Sequence, residues 1–358
     1  MARLLLEGLT KKFGNFVAVD GLKLEIKSGT FTSLLGPSGC GKTTTLRMVA
    51  GLEVPTTGKI LIDDRDVTDL PSRERKIGLV FQSYALFPDM TVFDNLAFGL
   101  RVAKISEAEL RKQVKEFAET FQLDNVLESK TAKLGLDQRQ RVALARTMIT
   151  KPSILLLDEP LSNLDAGLRA KVRVELKRIR QQLNQTILFV THDQLEAMSM
   201  ADMIAVMDRG KLLQHASPRE IYNKPNALFV ANFIGSPTMN FLQCTLVHKE
   251  KGTFLDGGTF LLDVSRFESL FPTTSEYILG IRPEDVQIMN SGRADIEAVI
   301  ELIEPLGPKK ILNLRLEDSL VKTFVPYEHK CELGQKLRLG FNRDRMHIFD
   351  KFSGATIV

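Results

Sequence analysis

Cysteine is scarce in this chain of 358 residues. Cys40, Cys244 and Cys331 stand far apart, too few and too scattered for a disulfide framework or a zinc site. A reducing compartment is the simplest reading. Long apolar runs are also missing. No stretch approaches the length of a membrane span, and the opening Met1-Ala2-Arg3-Leu4-Leu5-Leu6-Glu7 has too short an apolar run for a signal peptide. A membrane role is therefore expected to come through a partner. Excess charge is lacking too: the net charge is +4, with no long Lys/Arg block. Nucleic acid is not the expected partner. The hydrophobic share of 44% and the charged share of 26% fit a soluble globular protein. The length suggests two domains, or three.

Gly36-Pro37-Ser38-Gly39-Cys40-Gly41-Lys42-Thr43-Thr44 matches the phosphate-loop spacing, Gly, four residues, then Gly-Lys-Ser/Thr. The apolar Phe31–Leu35 before it reads as a buried strand, and Thr44 to Ala50 as the first turns of a helix. Glycines let backbone N–H groups curl round phosphate oxygens. The helix start adds its positive dipole end. Lys42 is expected to reach the β- and γ-phosphates, and the Thr43 hydroxyl to hold Mg²⁺.

Before the loop, residues 3–35 read as strands, with Leu22–Ile26 alternating in period two. Phe13 could stack on a base, though its spacing alone favours a core position. After the loop, residues 58–64 read as strand and turn, and Lys76–Gln82 as a strand ending in an amide. Residues 83–150 turn helical, with a capping box at Ser106-Glu107-Ala108-Glu109. Ile154-Leu155-Leu156-Leu157-Asp158-Glu159 is a buried strand ending in two carboxylates, as in a mostly parallel sheet. A helix from about 166 to 183 comes next, its stripe made of Leu168, Val172, Leu176, Ile179 and Leu183. Thr186–Val190 is a further buried strand that delivers Thr191-His192-Asp193 to the ligand-binding edge of the sheet. Residues 203–214 form a hairpin, and Ser217-Pro218 opens a last helix. From about Leu242 the segments are short and alternating, with a hairpin signal at Asp256-Gly257. Six or more such strands suggest a small barrel or sandwich without a catalytic constellation.

Together these motifs resemble the ATP-binding subunit of an ABC transporter, and more narrowly that of bacterial sugar importers of the maltose type. Phe233–Phe241 and Gly280-Ile281-Arg282-Pro283-Glu284 carry the narrower likeness. The resemblance implies an α/β phosphate-loop nucleotide-binding domain over 1–235, with a helical subdomain at about 88–150. It implies a C-terminal all-β regulatory domain of oligonucleotide-binding-like barrels over 236–358. ATP and Mg²⁺ are the implied cofactors. Phe13 would stack on adenine after all, and Ser38, Gly39, Cys40, Gly41, Lys42, Thr43 and Thr44 would cradle the phosphates. Thr43, Gln82 and Asp158 would hold Mg²⁺. Glu159 would be the general base for water, Gln82 would touch that water, and His192 would steady the γ-phosphate. Ser162-Asn163-Leu164-Asp165 would cross a dimer interface. The segment Tyr84–Phe93 would receive integral membrane subunits, and a solute-binding protein would act through them. The chain would sit peripherally on the cytoplasmic face of the membrane.

One motif departs from the family. Its signature, Leu-Ser-Gly-Gly-Gln, reads here Leu134-Gly135-Leu136-Asp137-Gln138, and the frame is held by Arg139-Gln140-Arg141. In the family each ATP lies between one chain's phosphate loop and the other chain's signature. Gly135 removes a hydroxyl donor. Leu136 puts a side chain where backbone should approach. Asp137 brings a carboxylate to a helix start that should meet an anion. Asp is a good N-cap, so Asp137 is expected to take up the helix's own first amides. The implied assembly is an asymmetric pair with a different ATPase chain of intact signature. A homodimer with two poor sites and little turnover is the alternative. A non-transport or nucleic-acid-associated ABC protein is a third reading. Against it, this chain lacks the long coiled-coil insertions or second fused ATPase domain usual there, and its barrel region has no basic, aromatic-interleaved stripe.

Overall fold

The computed structural model describes residues 2–183, 185–271, 276–292, 294–317 and 319–358. The chain divides into two compact units, Met1–Pro218 and Arg219–Val358.

The first unit contains β1 (Leu4–Phe13), β2 (Phe16–Ile26), β3 (Phe31–Leu35), α1 (Lys42–Ala50), β4 (Thr57–Ile62), β5 (Arg65–Asp66) and β6 (Ile77–Val80). Then come α2 (Val92–Val102), α3 (Glu107–Thr120), α4 (Leu136–Met148), β7 (Ile154–Asp158) and α5 (Ala166–Leu183). It closes with β8 (Thr186–Thr191), α6 (Gln194–Met200), β9 (Met203–Asp208) and β10 (Lys211–Ala216). A six-stranded sheet runs β10-β9-β3-β8-β7-β6. Its strands pair in parallel, except for the antiparallel β9–β10 hairpin. A second, antiparallel sheet runs β2-β1-β4-β5.

β3, β7 and β8 are buried at every residue, which explains their unbroken apolar runs. Successive side chains still point to opposite faces. Leu155, Leu157, Ile187 and Phe189 pack with α2, α3 and α4. Ile154, Leu156, Leu188 and Val190 pack with α1 and the antiparallel sheet. The strands therefore need apolar residues at both parities, each worth ~1.5–3 kcal/mol when fully buried. α3 begins as its capping box predicts, with the Ser106 side chain accepting from the Glu109 N–H. On α5, Val172 and Leu176 are buried and Leu168 packs beside them. The side chains of Ile179 and Leu183 lie outside the described residues.

The parallel register sets the site. Leu35 stands opposite Thr191, and Asp158 opposite Val190. The phosphate loop, the Asp158-Glu159 pair and His192 therefore leave neighbouring strands at the same carboxyl edge, where such sheets bind ligands.

α7 (Pro218–Asn223) starts at the last residue of the first unit and leads into the second, where α8 (Leu228–Phe233) follows. α8 corrects the expectation that the helix at Pro218 is the last. It has only six residues and its N-cap, Ala227, offers no side-chain hydrogen bond, so no start signal marks it. Phe229 and Phe233 stack at 5.5 Å along it. Among the described residues, ten strands come after it: β11 (Asn240–Lys249), β12 (Gly252–Asp256), β13 (Leu261–Asp263), β14 (Glu276–Ile281) and β15 (Val286–Ile288), then β16 (Ile296–Leu306), β17 (Lys309–Leu316), β18 (Ser319–Pro326), β19 (Lys336–Phe341) and β20 (His347–Asp350). They form two five-stranded sheets, β13-β12-β11-β14-β20 and β15-β19-β16-β17-β18. All their pairings are antiparallel. The hairpin at Asp256-Gly257 is present, but Asp256 pairs with Leu261. The connection thus spans residues 257–260 and is closed by the Gly257 N–H on the Phe260 carbonyl.

Candidate nucleotide site

The phosphate loop joins β3 to α1, as its spacing requires. Two glycines are fixed by space. A Cβ on Gly36 would lie 2.3 Å from the Met207 carbonyl oxygen, and one on Gly41, at φ +103°, 2.4 Å from that of Ala18. No side chain caps α1, so the N–H groups of its first turn stay open to an anion. Lys42 is buried, and its Nζ donates to the carbonyls of Gly36 at 2.8 Å and Pro37 at 2.9 Å. The ammonium is thereby held across the mouth of the loop. The Cys40 side chain turns inward, towards Lys42. Its thiol is buried 3.7 Å from the Lys42 Nζ, and burial, more than any charge, pushes its pKa up.

A cavity of about 290 Å³ opens here, lined by Phe13, Phe16, Ala18, Ser38, Gly39, Gly41, Lys42, Thr43, Thr44 and Glu159. Phe13 is 48% exposed and belongs to it, as the family resemblance implies and spacing alone does not. β1 and β2 join through Gly14 and Asn15, and Phe13 pairs with Phe16 across that turn. Paired residues share a face of the sheet, so both rings face the cavity. Phe16 was missed by sequence reasoning, although the Phe-x-x-Phe spacing about a tight turn is its signal. The Lys11 ammonium sits 4.9 Å from the Phe13 ring centre.

Beside the loop, the Thr43 hydroxyl donates to Asp158 Oδ1 at 3.1 Å. Burial raises the Asp158 pKa. The Thr43 hydrogen bond opposes that effect and the neighbouring Glu159 charge adds to it. A hydroxyl and a desolvated carboxylate at the start of an uncapped, glycine-cradled helix form a donor set that suits Mg²⁺ on a phosphate. Glu159 Oε2 lies 3.2 Å from His192 Nδ1, with Glu159 largely shielded and His192 half exposed. Glu159 has φ +44°, a costly conformation for a residue with a side chain and one that gathers at functional sites. Its own N–H donates to the Val190 carbonyl, and its carbonyl accepts from the Ser162 hydroxyl. His192 is presented because Asp193 turns the chain, capping α6 through the Leu195 and Glu196 N–H groups. Gln82 is turned elsewhere: its Nε2 donates to Ser162 Oγ at 3.2 Å, and Asn163 Nδ2 donates to its carbonyl.

The altered signature lies at the start of α4. Gly135 is the N-cap, at φ −64°, with no side-chain capping bond. Asp137 therefore does not cap the helix, contrary to expectation. It falls in the first turn, after the cap position has passed, and no side chain takes up the helix's first amides. Gln138 Oε1 instead accepts from the Gly135 N–H at 3.3 Å. The Asp137 carboxylate lies on the approach to Gly135: a Cβ there would be 3.1 Å from its Oδ1. Leu136 turns its side chain partly into the helical core.

A phosphate loop, an adjoining acid pair and a histidine at one edge of a parallel sheet define a nucleotide triphosphatase of the phosphate-loop class. The ABC transporter family pattern matches residues 19–162, the MalK OB fold domain residues 235–286, and the TOBE domain residues 279–349. The trehalose/maltose import ATP-binding protein MalK of Thermococcus litoralis is 46% identical over the whole of both chains. The maltose/maltodextrin import ATP-binding protein MalK of Vibrio cholerae is 40% identical, covering 98% of this chain and 95% of that one. The sn-glycerol-3-phosphate import ATP-binding protein UgpC of Psychromonas ingrahamii is 42% identical, covering 98% and 94%. Among solved structures, the dimeric ATP-binding cassette MJ0796, in a post-hydrolysis state with ADP and Pi, matches with a TM-score of 0.54 at 32% identity, over 60% of this chain and 99% of that one. This chain belongs to the family of ABC transporter ATP-binding subunits, in its MalK-type branch. It is accordingly an ABC-type ATPase with an ATP-binding domain. Among the described residues, no helix is long and apolar enough to cross a membrane.

Proposed function

We propose that this chain powers an importer for a sugar, polyol or glycerol phosphate, as one half of an asymmetric ATPase pair. The names of its relatives support a sugar or a glycerol phosphate. We read residues 1–235 as the nucleotide-binding part and 236–358 as regulatory, since the OB-fold match begins at 235. Membrane subunits would dock on Tyr84–Phe93 and hold the chain at the cytoplasmic face, and a solute-binding protein would act through them.

Roles in the site are those that the family implies, and the chemistry of the residues fits them. Phe13 stacks on adenine, with Phe16 beside it. Residues 36–44 bind the phosphates through backbone N–H groups, and Lys42 adds its charge. Thr43 and Asp158 would hold Mg²⁺, which neutralises charge on the phosphoryl group being transferred, and Gln82 would join them on leaving its hydrogen bond to Ser162. Glu159 orients and deprotonates the attacking water, and His192, next to it, donates to the γ-phosphate.

The observation that carries the asymmetry is the start of α4, where the Asp137 carboxylate occupies the turn that should face a neighbour's γ-phosphate, while Leu136 turns partly into the core. A carboxylate there repels an anion at short range. The phosphate loop, Glu159 and His192 remain complete, which makes sense if another chain with an intact signature closes this site. The test is ATP hydrolysis by the full chain alone, and then with its membrane subunits and a candidate second ATPase. Turnover only in the mixed assembly supports the proposal. Robust turnover by the chain alone refutes the asymmetry.

A further inference from the structure

We propose that Gln140 is a positioning residue for Glu159, and that α4 is the strut that holds two strained turns of the ATPase unit in fixed relation. This rests on the assignment of Glu159 as the base. Glu159 has φ +44°, and Tyr84 and Ala85 have φ +63° and +46°. Such backbone persists only where its surroundings hold it. Val190 and Ser162 hold the Glu159 peptide itself, and in both places α4 adds a side-chain donor to the turn. Gln140, fully buried, donates from Nε2 to the Pro160 carbonyl at 3.1 Å, immediately after Glu159. Arg146, further along α4, donates to the Ala85 carbonyl at 2.8 Å and the Tyr84 carbonyl at 3.0 Å. Its guanidinium also lies over the Phe87 ring, 5.5 Å from the centre. The two turns meet directly as well, because the Tyr84 hydroxyl points at the same Pro160 carbonyl from 3.5 Å.

Gln140 is the informative member. Its Oε1 is buried and has no hydrogen-bond partner among the described residues. A buried polar atom left unsatisfied costs stability, and an apolar side chain of similar length would fill the space without that cost. The amide is thus explained by its one donated bond, which fixes the carbonyl next to the base. A base misplaced by about 1 Å loses roughly a hundredfold in rate. Ground-state binding of ATP, made by the phosphate loop and Phe13, does not pass through Pro160.

The test uses the full chain. In Gln140→Met the shape is kept and the donor lost. Amide hydrogen exchange at residues 159–164 should speed up in the isolated chain with MgATP, with residues 36–44 unchanged. That reading does not depend on turnover. In the assembled transporter, kcat should fall by roughly ten- to a hundredfold with KM for ATP within about twofold. Gln140→Glu separates positioning from packing, because a carboxyl donates only while protonated. Its activity relative to the wild type should rise as pH falls, whereas Gln140→Met should keep the wild-type pH profile. Unchanged exchange at 159–164 in Gln140→Met overturns the proposal, as does a loss confined to KM. A misassigned base would show itself separately, as a Glu159→Gln variant that still turns over ATP.

Discussion

If residues 135–137 limit pairing of the chain with itself, as proposed, rebuilding the signature by Gly135→Ser, Leu136→Gly and Asp137→Gly should raise the turnover of the chain alone. The gain can be worked from the start of α4. A restored hydroxyl on the γ-phosphate is a charge-assisted hydrogen bond worth about 1.5–3 kcal/mol, or roughly 10- to 150-fold in rate. Removal of the Asp137 carboxylate adds to this by ending a repulsion. Gly135 itself accepts a side chain at φ −64° without backbone strain. The obstacle is the Asp137 carboxylate, 3.1 Å from where the new Cβ would stand. Gly135→Ser alone should therefore gain little, and its effect should appear only with Asp137→Gly, a coupling that a double-mutant cycle measures. The cost falls on stability. Leu136 is packed on the helical core, and glycine in a helix is worse than other residues by about 1 kcal/mol, so the triple variant should melt a few degrees lower. The assay is steady-state ATP hydrolysis by the purified chain alone, with nucleotide binding measured in parallel. A folded, ATP-binding triple variant that stays as slow as the wild type would refute the idea that residues 135–137 limit the homodimer.

Other expectations come from the site's geometry. Glu159→Gln should abolish turnover by at least about a hundredfold while ATP binding survives, read by hydrolysis against equilibrium binding. Phe13→Ala should weaken ATP binding by roughly 5- to 150-fold, the value of about 1–3 kcal/mol of base stacking, with kcat nearly unchanged. Asp158→Asn should stabilise the nucleotide-free protein. Burial raises the Asp158 pKa in the fold, so the folded protein holds that proton more tightly than the unfolded chain. The wild type then loses stability as pH rises through the folded pKa and keeps it at lower pH. Asparagine removes the penalty, so Tm should rise by about 2–4 °C for each kcal/mol recovered. The gap should be wide at pH 8 and close towards acid pH, and the stabilisation by MgATP should be lost. An unchanged gap across that range in a thermal scan would contradict it.

How much of this was legible in the sequence depends on how local each signal is. The phosphate loop is local: nine consecutive residues specify strand, turn and helix, and the structure places them so. Asp158, Glu159 and His192 are legible because buried parallel strands announce themselves as unbroken apolar runs, and the residues at the carboxyl end of such a run fall on the ligand edge. Ser106 is legible for a similar reason, since its cap is made with the Glu109 N–H three residues away. The failures are equally specific. α8 lacks a capping signal and is too short to show a period. Asp137 was given a capping role by residue type, but the helix starts before the position that role needs, and helix ends are set by backbone geometry. Phe16 depends on a hairpin register, which composition does not reveal.

Gln140 marks the limit most clearly. In the sequence it is one polar residue among Gln138, Arg139 and Arg141, where it serves only to hold the frame of the signature. Only the fold puts it in the interior, beside a carbonyl twenty residues away in the chain. What makes it matter is that the next residue back from that carbonyl is Glu159, whose backbone needs holding at φ +44°. On the proposed reading, the same helix that would read a neighbour's nucleotide at Gly135–Gln138 also braces the proposed base of its own chain. A signature that met no phosphate would leave that brace intact. The chain would then lose its contribution to a neighbour's site while keeping its own ready for a partner, the division of labour that the proposed asymmetric pair requires.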